Sequence, residues 1–289
     1  MSRSKIGTVG LVEHHERPVA CELARSASRW LASRGILVRA LADDAEAAGV
    51  PEIGVTAEAF PVDLDLVISL GGDGTMLRSV DLVHEAGAAV LGVNVGQMGY
   101  LTEVEPSRLD WALDRLCSGD FTVDERMVLE VVVESRGAAA GRWSALNEAV
   151  IEKVRAARLV RLDVLINGTF FTTYAADGVI VATPTGSTAY SFSAGGPIVS
   201  PRHRCLLLTP VSPHMLFDRS LVLDPSEELG FCVVDDRNVM LTLDGRELGQ
   251  LETGDTVTCT AGLKPARIVS FEPRDFHQIL KLKFGLADR

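Results

Sequence analysis

The sequence has no excess of positive charge and no long apolar run, and each absence excludes a class of protein. Its 28 basic residues are outnumbered by 39 acidic ones, which gives a net charge of −11. This balance argues against general binding to nucleic acid or to an anionic membrane surface. No apolar stretch approaches the roughly 20 residues that span a bilayer, and the apolar run near the N-terminus is too short for a signal peptide. We therefore expect a cytoplasmic protein without a nucleic-acid or membrane partner.

Paired cysteines and a Walker lysine are also missing. The five cysteines are scattered and show no C-x-x-C spacing, so they predict buried thiols in a reducing compartment, not a disulfide frame or a zinc site. Neither glycine-rich loop carries the lysine of a P-loop, which excludes that class of NTPase. The composition that remains, 289 residues with 47% hydrophobic and 23% charged residues, is typical of a globular protein with one large or two ordinary domains.

Strand-like and helix-like patterns alternate over the first part of the chain. This alternation predicts parallel strands joined by helices, and hence a Rossmann-like, doubly wound α/β domain over residues 1–120. Most patterns from 121 to 265 are strand-like and include the hairpin signal Asn167-Gly168, so we expect a β-rich, sandwich-like second domain. Residues 266–289 are predicted to form a helical segment, centred on 271–284, that packs back on the N-terminal domain.

One loop in the first domain has the composition of a phosphate site. The apolar run 64–70 ends in Gly71-Gly72-Asp73-Gly74-Thr75, and an apolar helical pattern follows. Glycines let a ligand approach the backbone closely, and the N–H groups at a helix start attract anions. A carboxylate beside a phosphate is better explained as a base or a Mg²⁺ partner, although Asp is also a favoured N-cap. Asn94 opens a second glycine-rich turn after the next strand, where ligands of such sheets bind.

Three stretches of the second domain are also rich in polar groups. Asn147 and Glu148 precede a strand-like run and suit an adenine edge and ribose hydroxyls, with a plain polar turn as the alternative. Residues 176–197 carry Ser or Thr at 183, 185, 187, 188, 191 and 193, with Tyr190 for stacking on a base, and an ordinary Ser/Gly loop is the alternative. Leu243-Asp-Gly-Arg246 is, on spacing alone, a hairpin turn.

Together these stretches resemble the NAD kinase family, over nearly the whole chain. The resemblance rests on Gly71–Thr75, Asn94–Leu101, Asn147-Glu148, Asp177-Gly178 and Thr183–Tyr190. The first is shared with lipid kinases of the diacylglycerol type, whereas Thr183–Tyr190 with Asn147-Glu148 is more particular to NAD kinases. The resemblance implies phosphorylation of the 2′-hydroxyl of the adenosine ribose of NAD by ATP or polyphosphate. Mg²⁺ is expected to accompany the donor without fixed protein ligands, and the protein is expected to be a homodimer or homotetramer.

The family pattern also implies roles for individual residues. Asp73 would act on the ribose hydroxyl, Asn147 and Glu148 would hold the dinucleotide, and Asp177 would meet its nicotinamide side or a subunit contact. The other nucleotide-binding residues that it implies are Gly71, Gly72, Gly74, Thr75, Arg78, Asn94, Arg158, Thr185, Thr188, Ala189, Tyr190, Ser191, Phe192, Ser193 and Arg246.

Three positions depart from the family pattern. Arg246 stands where Gln is common, Ala175 where many members have Arg, and Tyr100 in place of the usual Phe. The first two bear on the preference between NAD and NADH, not on the catalytic assignment. Two other functions share the glycine loop or the dinucleotide site: a lipid or sugar-phosphate kinase, and a non-catalytic NAD(P)-binding regulator.

Overall fold

The computed structural model describes residues 6–96, 99–155, 158–272 and 275–286. Gln97 and Met98 of the second glycine-rich turn lie outside the described residues. The chain divides into two compact units, one formed by Met1–Glu125 with Ala266–Arg289 and the other by Arg126–Pro265.

The first unit is built on one sheet flanked by helices. Its elements are β1 (Thr8–Glu13), α1 (Pro18–Ala32), β2 (Leu37–Leu41), α2 (Ala42–Ala48), β3 (Gly54–Val55), β4 (Leu66–Gly71), α3 (Asp73–Val83), β5 (Ala89–Asn94), α4 (Leu109–Ser118) and β6 (Thr122–Arg126). After the second unit, β19 (Ala266–Ser270) and α6 (Phe276–Phe284) complete it. The sheet order is β3-β2-β1-β4-β5-β19-β6, and the strands from β3 to β19 are parallel.

The burial of the central strands shows that helices cover both faces of this sheet. All six positions of β4 and all six of β5 are buried, as expected for parallel strands between helix layers. Helix α1 contributes a stripe at helical spacing, Ala20, Ala24, Ala27 and Leu31, to the same core. The predicted doubly wound α/β domain is therefore confirmed.

The second unit consists of two antiparallel sheets. Its strands are β7 (Leu129–Glu134), β8 (Gly141–Ala145), β9 (Glu148–Lys153), β10 (Val160–Ile166), β11 (Thr169–Ala176), β12 (Gly178–Ala182), β13 (Leu206–Val211), β14 (Leu221–Leu223), β15 (Leu229–Val233), β16 (Val239–Leu243), β17 (Arg246–Leu251) and β18 (Thr256–Ala261), with a short helix α5 (Tyr190–Ser193). One sheet has the order β11-β10-β15-β18-β7-β8 and the other β14-β13-β12-β9-β16-β17.

The two sheets share one core. Strands such as β15 and β16 alternate between buried and half-buried positions, which is the pattern of a sheet with one face inside. Leu162 and Phe231, from the sheet that contains β10 and β15, pack in the same cluster as Ile151 and Leu241, from the sheet that contains β9 and β16. The expected sandwich-like unit is confirmed, and Asn167 and Gly168 both have positive φ in the predicted hairpin turn.

The structure differs from expectation at the edges of the second unit. Thr122–Arg126 forms β6 of the first sheet, so the division falls at Glu125 and not at residue 120. The segment expected to be helical begins with a strand, β19, because its Ile268 and Val269 are β-branched and are buried beside β5. Helix α6 starts only at Phe276, where the Asp275 side chain accepts the N–H groups of His277 and Gln278. Within the described ranges, no helix is both long enough and apolar enough to cross a membrane.

Tyr174 offers a direct test of this core. Its side chain is fully buried in the sandwich, and its hydroxyl has no hydrogen-bond partner among the described residues. Because an unpaired buried hydroxyl is costly, we expect Tyr174→Phe to raise the free energy of unfolding by about 1 kcal/mol. Urea denaturation measures this change. Tyr190→Phe, at an exposed ring, is the control and should change it by less than about 0.5 kcal/mol. A destabilised Tyr174→Phe protein would contradict the assignment.

Candidate functional site

The glycine loop lies where the strand order of the first sheet reverses. From β1 the chain extends the sheet through β2 and β3 on one side, and β4 and β5 extend it on the other. The carboxyl ends of the two strands at such a switch point form the crevice in which α/β proteins bind ligands. Glu13 ends β1 and Gly71 ends β4, so the loop opens at this crevice.

The side chain of Asp73 is fixed by two backbone amides. Asp73 is the first residue of α3, whose N-cap is Gly72, so the N-cap alternative for Asp73 is wrong. Its carboxylate accepts the N–H of Tyr100 at 2.7 Å and the N–H of Leu101 at 3.1 Å. The turn that follows β5 therefore orients the carboxylate at the mouth of the loop.

Two glycines make this arrangement sterically possible. A Cβ at Gly99 would lie 1.9 Å from Oδ1 of Asp73, and one at Gly71 would lie 2.1 Å from Oγ1 of Thr75. Gly72 and Gly74 have no neighbour within 4 Å of such a Cβ. The first two glycines are thus required by the protein's own packing, whereas the other two leave open space beside the loop.

A cavity of about 430 Å³ adjoins the loop. It is lined by the end of β1 and the segment after it, and by the start of α3: Glu13, His14, His15, Arg17, Gly72, Asp73, Gly74, Thr75 and Arg78. The Nη2 of Arg78 donates to Oδ1 of Asp44 at 3.0 Å, and its Nη1 donates to the main-chain oxygen of Glu13 at 3.4 Å. The cavity therefore offers an anion open space at the N-terminus of α3 and a guanidinium that is held in place.

Asn94 lies next to the loop in the same sheet. It pairs in register with Gly71, and the N–H of Val95 donates to the oxygen of Gly71 at 2.9 Å. Its side chain is buried, and Oδ1 has no hydrogen-bond partner within the described part of the chain. The amide is therefore available to a ligand or to a water molecule at this edge.

In the second unit, Asp244 organises the Asn147-Glu148 segment. Its carboxylate accepts the N–H groups of Leu146, Asn147 and Glu148 at 2.6, 2.8 and 3.0 Å. The hairpin interpretation of residues 243–246 is correct, since Asp244 and Gly245 both have positive φ between β16 and β17. The sequence interpretation missed the anchoring role of Asp244. Its only local signal was an Asp in a turn, which is common.

Glu148 is a buried carboxyl at the start of β9. It is 7% exposed, and its Oε2 has no partner in the part of the chain that the structure describes. Burial, followed by the charge of Asp244, raises the pKa of Glu148 to about 8, while the backbone N–H of Tyr190 lowers it. Glu148 is therefore protonated at neutral pH and can both donate and accept a hydrogen bond.

The loop 183–193 packs directly on Asn147. The N–H of Thr183 donates to the oxygen of Asn147 at 2.9 Å, and its hydroxyl donates to the oxygen of Leu146 at 2.6 Å. A Cβ at Gly186 would lie 2.2 Å from the Asn147 oxygen. Close packing therefore joins the two stretches that the sequence interpretation treated separately.

The side chains of this loop differ in accessibility. Thr185 and Ser191 are buried, and the hydroxyl of Ser191 is 3.0 Å from that of Thr209, so Ser191 packs inside the unit. Thr188 and Ala189 are half-buried. The exposed members are Tyr190, Phe192 and Ser193. These exposed groups offer the stacking ring and the hydroxyl that a base and a ribose require.

Asp177 forms an ion pair next to Tyr190. Its carboxylate accepts from Nζ of Lys153 at 2.6 Å, and the Tyr190 hydroxyl donates to Oε2 of Glu152 at 3.5 Å. Burial, then the charge and hydrogen bond of Glu152 and the charge of Asp177, raise the pKa of Tyr190. The phenol therefore stays protonated in a negatively charged setting.

Two predicted arginines lie elsewhere in the second unit. Arg158 is exposed and lines a second cavity of about 330 Å³ together with Lys153 and Arg237. The guanidinium of Arg246 lies 5.5 Å from the ring centre of Trp143, a cation–π distance. In the described residues, no group of three or more His, Cys, Asp or Glu side chains could hold a metal ion.

The first unit has a glycine loop with an anchored carboxylate at the switch point of a parallel sheet, and the second is a β-sandwich with a polar loop. These features define the class of protein, a nucleotide-binding phosphotransferase. A model of the ATP-NAD kinase N-terminal domain matches residues 9–121, and a model of the ATP-NAD kinase C-terminal domain matches residues 146–271. The chain belongs to the NAD kinase family, as its motifs predicted.

Curated relatives and solved structures agree with this assignment. The chain is 41% identical to an NAD kinase of Moorella thermoacetica over 96% of this chain and 89% of that protein. It is 40% identical to NAD kinase 2 of Streptomyces avermitilis over 99% and 97%. Yeast NADH kinase complexed with NADH superposes with a TM-score of 0.89 at 26% identity, covering 99% of this chain and 90% of that one. An Archaeoglobus fulgidus NAD kinase in complex with ATP shares the fold, with a TM-score of 0.72 at 22% identity over 96% and 98%.

The contact between Gly99 and Asp73 generates a sharp prediction. Gly99→Ala places a methyl group where Oδ1 of Asp73 lies, so the carboxylate must move away from its two amides. On the hypothesis that this carboxylate takes part in phosphoryl transfer, we expect kcat to fall at least about tenfold, because small misplacements of a reacting group are costly. Gly7→Ala is the matched control, since the nearest atom to its new Cβ lies at an ordinary 3.6 Å. Steady-state kinetics measures both, and equal kcat values in the two variants would refute the contact's importance.

Proposed function

We propose that this NAD kinase transfers the γ-phosphoryl group of ATP to the 2′-hydroxyl of the adenosine ribose of NAD, with Asp73 as the group that acts on that hydroxyl. The observation that carries this assignment is the Asp73 carboxylate, held by two amides at the opening of the glycine loop. As the ribose oxygen forms its bond to the γ-phosphorus, the bond from that phosphorus to the β–γ bridging oxygen breaks, and ADP leaves. Asp73 takes the proton of the hydroxyl.

The loop and its cavity support the donor side. Gly72 and Gly74 leave room for phosphate oxygens to approach the N–H groups at the start of α3, and Arg78 adds a charged donor. The residues fit Mg²⁺ held mainly by the donor's own phosphates, since the described part of the chain forms no cage of three or more ligating side chains and Mg²⁺ commonly uses substrate phosphates with one or two carboxylates. Bound in this way, Mg²⁺ would neutralise phosphate charge.

The second unit supports the acceptor side. Asn147 and Glu148 are held by Asp244 and by the loop from Thr183. A protonated Glu148 can donate to one ribose oxygen and accept from another hydroxyl, and the Tyr190 ring is exposed for stacking. We assign the dinucleotide to these groups, with Thr188 and Ser193 beside it and Asp177 at its nicotinamide side.

Asp73→Asn tests the assignment. The amide keeps the size of the side chain but cannot accept the proton, and general-base help contributes about 10²–10⁴-fold. We therefore expect kcat to fall about 100-fold or more, with binding of NAD largely retained. The measurement is formation of NADP from NAD, or of NADPH from NADH, with ATP or polyphosphate, together with equilibrium binding of NAD.

Asp110→Asn, at an exposed position in the first turn of α4, is the control and should leave kcat unchanged. If Asp73→Asn retains more than about a tenth of wild-type kcat, the base role is rejected. If wild-type protein binds NAD but forms no NADP with Mg²⁺ and either donor, the proposed activity itself is rejected in favour of a non-catalytic dinucleotide-binding regulator.

We also propose that the enzyme is a cytoplasmic homo-oligomer. No disulfide joins its five cysteines in the described residues, which suits a reducing compartment. Strand β11 lies at one edge of its sheet, and β14 lies at one edge of the other sheet. The second unit exposes Phe170, Phe171, Leu216 and Phe217, and the rings of Phe171 and Phe217 meet edge to face at 5.9 Å. An outer strand can pair antiparallel with its copy across a two-fold axis and cover such side chains.

A double substitution tests this surface. Phe170 and Leu216 are 58% and 105% exposed, so Phe170→Ser with Leu216→Ser removes apolar area without opening the core. We expect the solution mass to drop from a multiple of the chain mass toward one chain, because buried apolar area drives association. Val19→Ser, at an exposed position of α1, is the control. Analytical ultracentrifugation reads the mass, and an unchanged oligomer would exclude this surface.

A further inference from the structure

A pair of carboxyl groups is buried beneath the cavity that adjoins the glycine loop. Glu13 ends β1 and is fully buried, and neither of its carboxyl oxygens has a hydrogen-bond partner among the described residues. Asp44, in α2, is 1% exposed, and its Oδ2 is likewise without a partner in the described ranges. Three unpartnered carboxyl oxygens in the interior reduce the stability of the fold. Their presence therefore indicates a purpose other than stability.

Arg78 links this pair to the cavity. Its guanidinium donates to the other oxygen of Asp44 and to the main chain of Glu13, while its side chain remains 39% exposed and lines the cavity. The Arg78 guanidinium that faces the cavity is therefore paired with the Asp44 carboxylate, and it lies beside the Glu13 carboxyl group. The ionisation state of Glu13 determines whether Arg78 has one negative charge beside it or two.

We propose that Glu13 is a positioning residue for the phosphoryl donor: with Asp44 it forms a buried carboxyl pair that sets the charge and orientation of Arg78. This role rests on the proposed function, because it assigns the cavity to the donor phosphates. With Glu13 neutral, only Asp44 balances the charge of Arg78, and the guanidinium lies at the cavity wall, where it can donate to the phosphates beside the loop amides. With Glu13 ionised, the wall carries one further negative charge and pulls the guanidinium inward, away from the phosphates.

The surroundings of Glu13 place this change near physiological pH. Burial, and then the charge of Asp44, raise the pKa of Glu13 to about 8, and Arg78 lowers it. Cys21 of α1 also lies near Glu13, and burial followed by the Glu13 charge raises the pKa of its thiol, so it stays protonated. The other charged or titratable groups on the cavity wall are His14, His15, Arg17 and Asp73.

The consequence is that donor binding is linked to a proton. The folded-state pKa of Glu13 lies above its ordinary value of 4.5, so the carboxyl is neutral at pH 7 and ionises as the pH passes 8. A bound anion favours the neutral form, and binding therefore takes up protons at pH 8. Ionisation of Glu13 should raise the donor KM without acting on kcat, because Asp73 and its two amides are not involved. The carboxyl of Glu148, whose pKa is also raised to about 8, titrates alike in wild type and in Glu13→Gln, so the comparison of the two isolates Glu13.

The test uses the full-length enzyme with saturating NAD and MgATP from pH 7 to pH 9, above the range of an ordinary imidazole. For the wild type we expect the donor KM to rise about fivefold or more, and for Glu13→Gln less than about twofold. Glu22→Gln, at an exposed position of α1, is the matched control and should behave as wild type. Equal pH dependence of KM in wild type and Glu13→Gln would overturn the proposal.

Two further measurements keep the proposal testable if Glu13→Gln does not fold. Asp44→Asn removes the charge that adds to the effect of burial in raising the Glu13 pKa, so the rise in donor KM should move to lower pH. An unmoved profile would contradict the role of the pair. Calorimetric binding of MgATP at pH 8 in buffers of different ionisation enthalpy should show uptake of up to about half a proton in the wild type, and none would also contradict it. A wild type that binds MgATP with proton uptake but forms no NADP would instead reject the proposed function alone.

Discussion

The hydrogen bonds from the N–H groups of Tyr100 and Leu101 to the Asp73 carboxylate are the contacts on which the candidate catalytic site depends. Gly99 must be glycine because any Cβ would occupy the place of that carboxylate. The strand order places β1, β4 and β5 side by side, so the loop after β4 and the turn after β5 meet at one edge of the sheet. A reacting carboxylate fixed by backbone amides needs little reorganisation when it acts, which is where catalytic advantage from pre-organisation arises.

The second unit uses the same device for a different purpose. Asp244 accepts three successive amide N–H groups, and these hold Asn147 and Glu148 at the start of β9. Thr183 and Gly186 close on the same segment from the other side. Carboxylate-to-amide bonds are charge-assisted and directional, so each unit orients its polar residues through the main chain.

Buried carboxyls are the other shared feature. Glu13 in the first unit and Glu148 in the second both have pKa values raised to about 8, each mainly by burial and then by a neighbouring aspartate. Both are neutral at pH 7, so neither repels an anionic nucleotide, and a neutral carboxyl can donate a hydrogen bond that a carboxylate cannot. Strong perturbation of this kind concentrates at functional sites. An enzyme whose substrates are all anionic benefits from acidic side chains that remain uncharged.

The sequence by itself determined the two-part architecture, the glycine loop and the Asn167-Gly168 turn, because hydrophobic periodicity and positive φ are local properties. It also indicated the family through short motifs. Only the tertiary structure decided that Asp73 is anchored 27 residues further along the chain and that Asp244 supports Asn147 across 97 residues. It also decided that β19 returns to the first sheet, and that Glu13, Asp44 and Arg78 meet from three elements. Strand order and register bring distant residues together, and no local pattern encodes them.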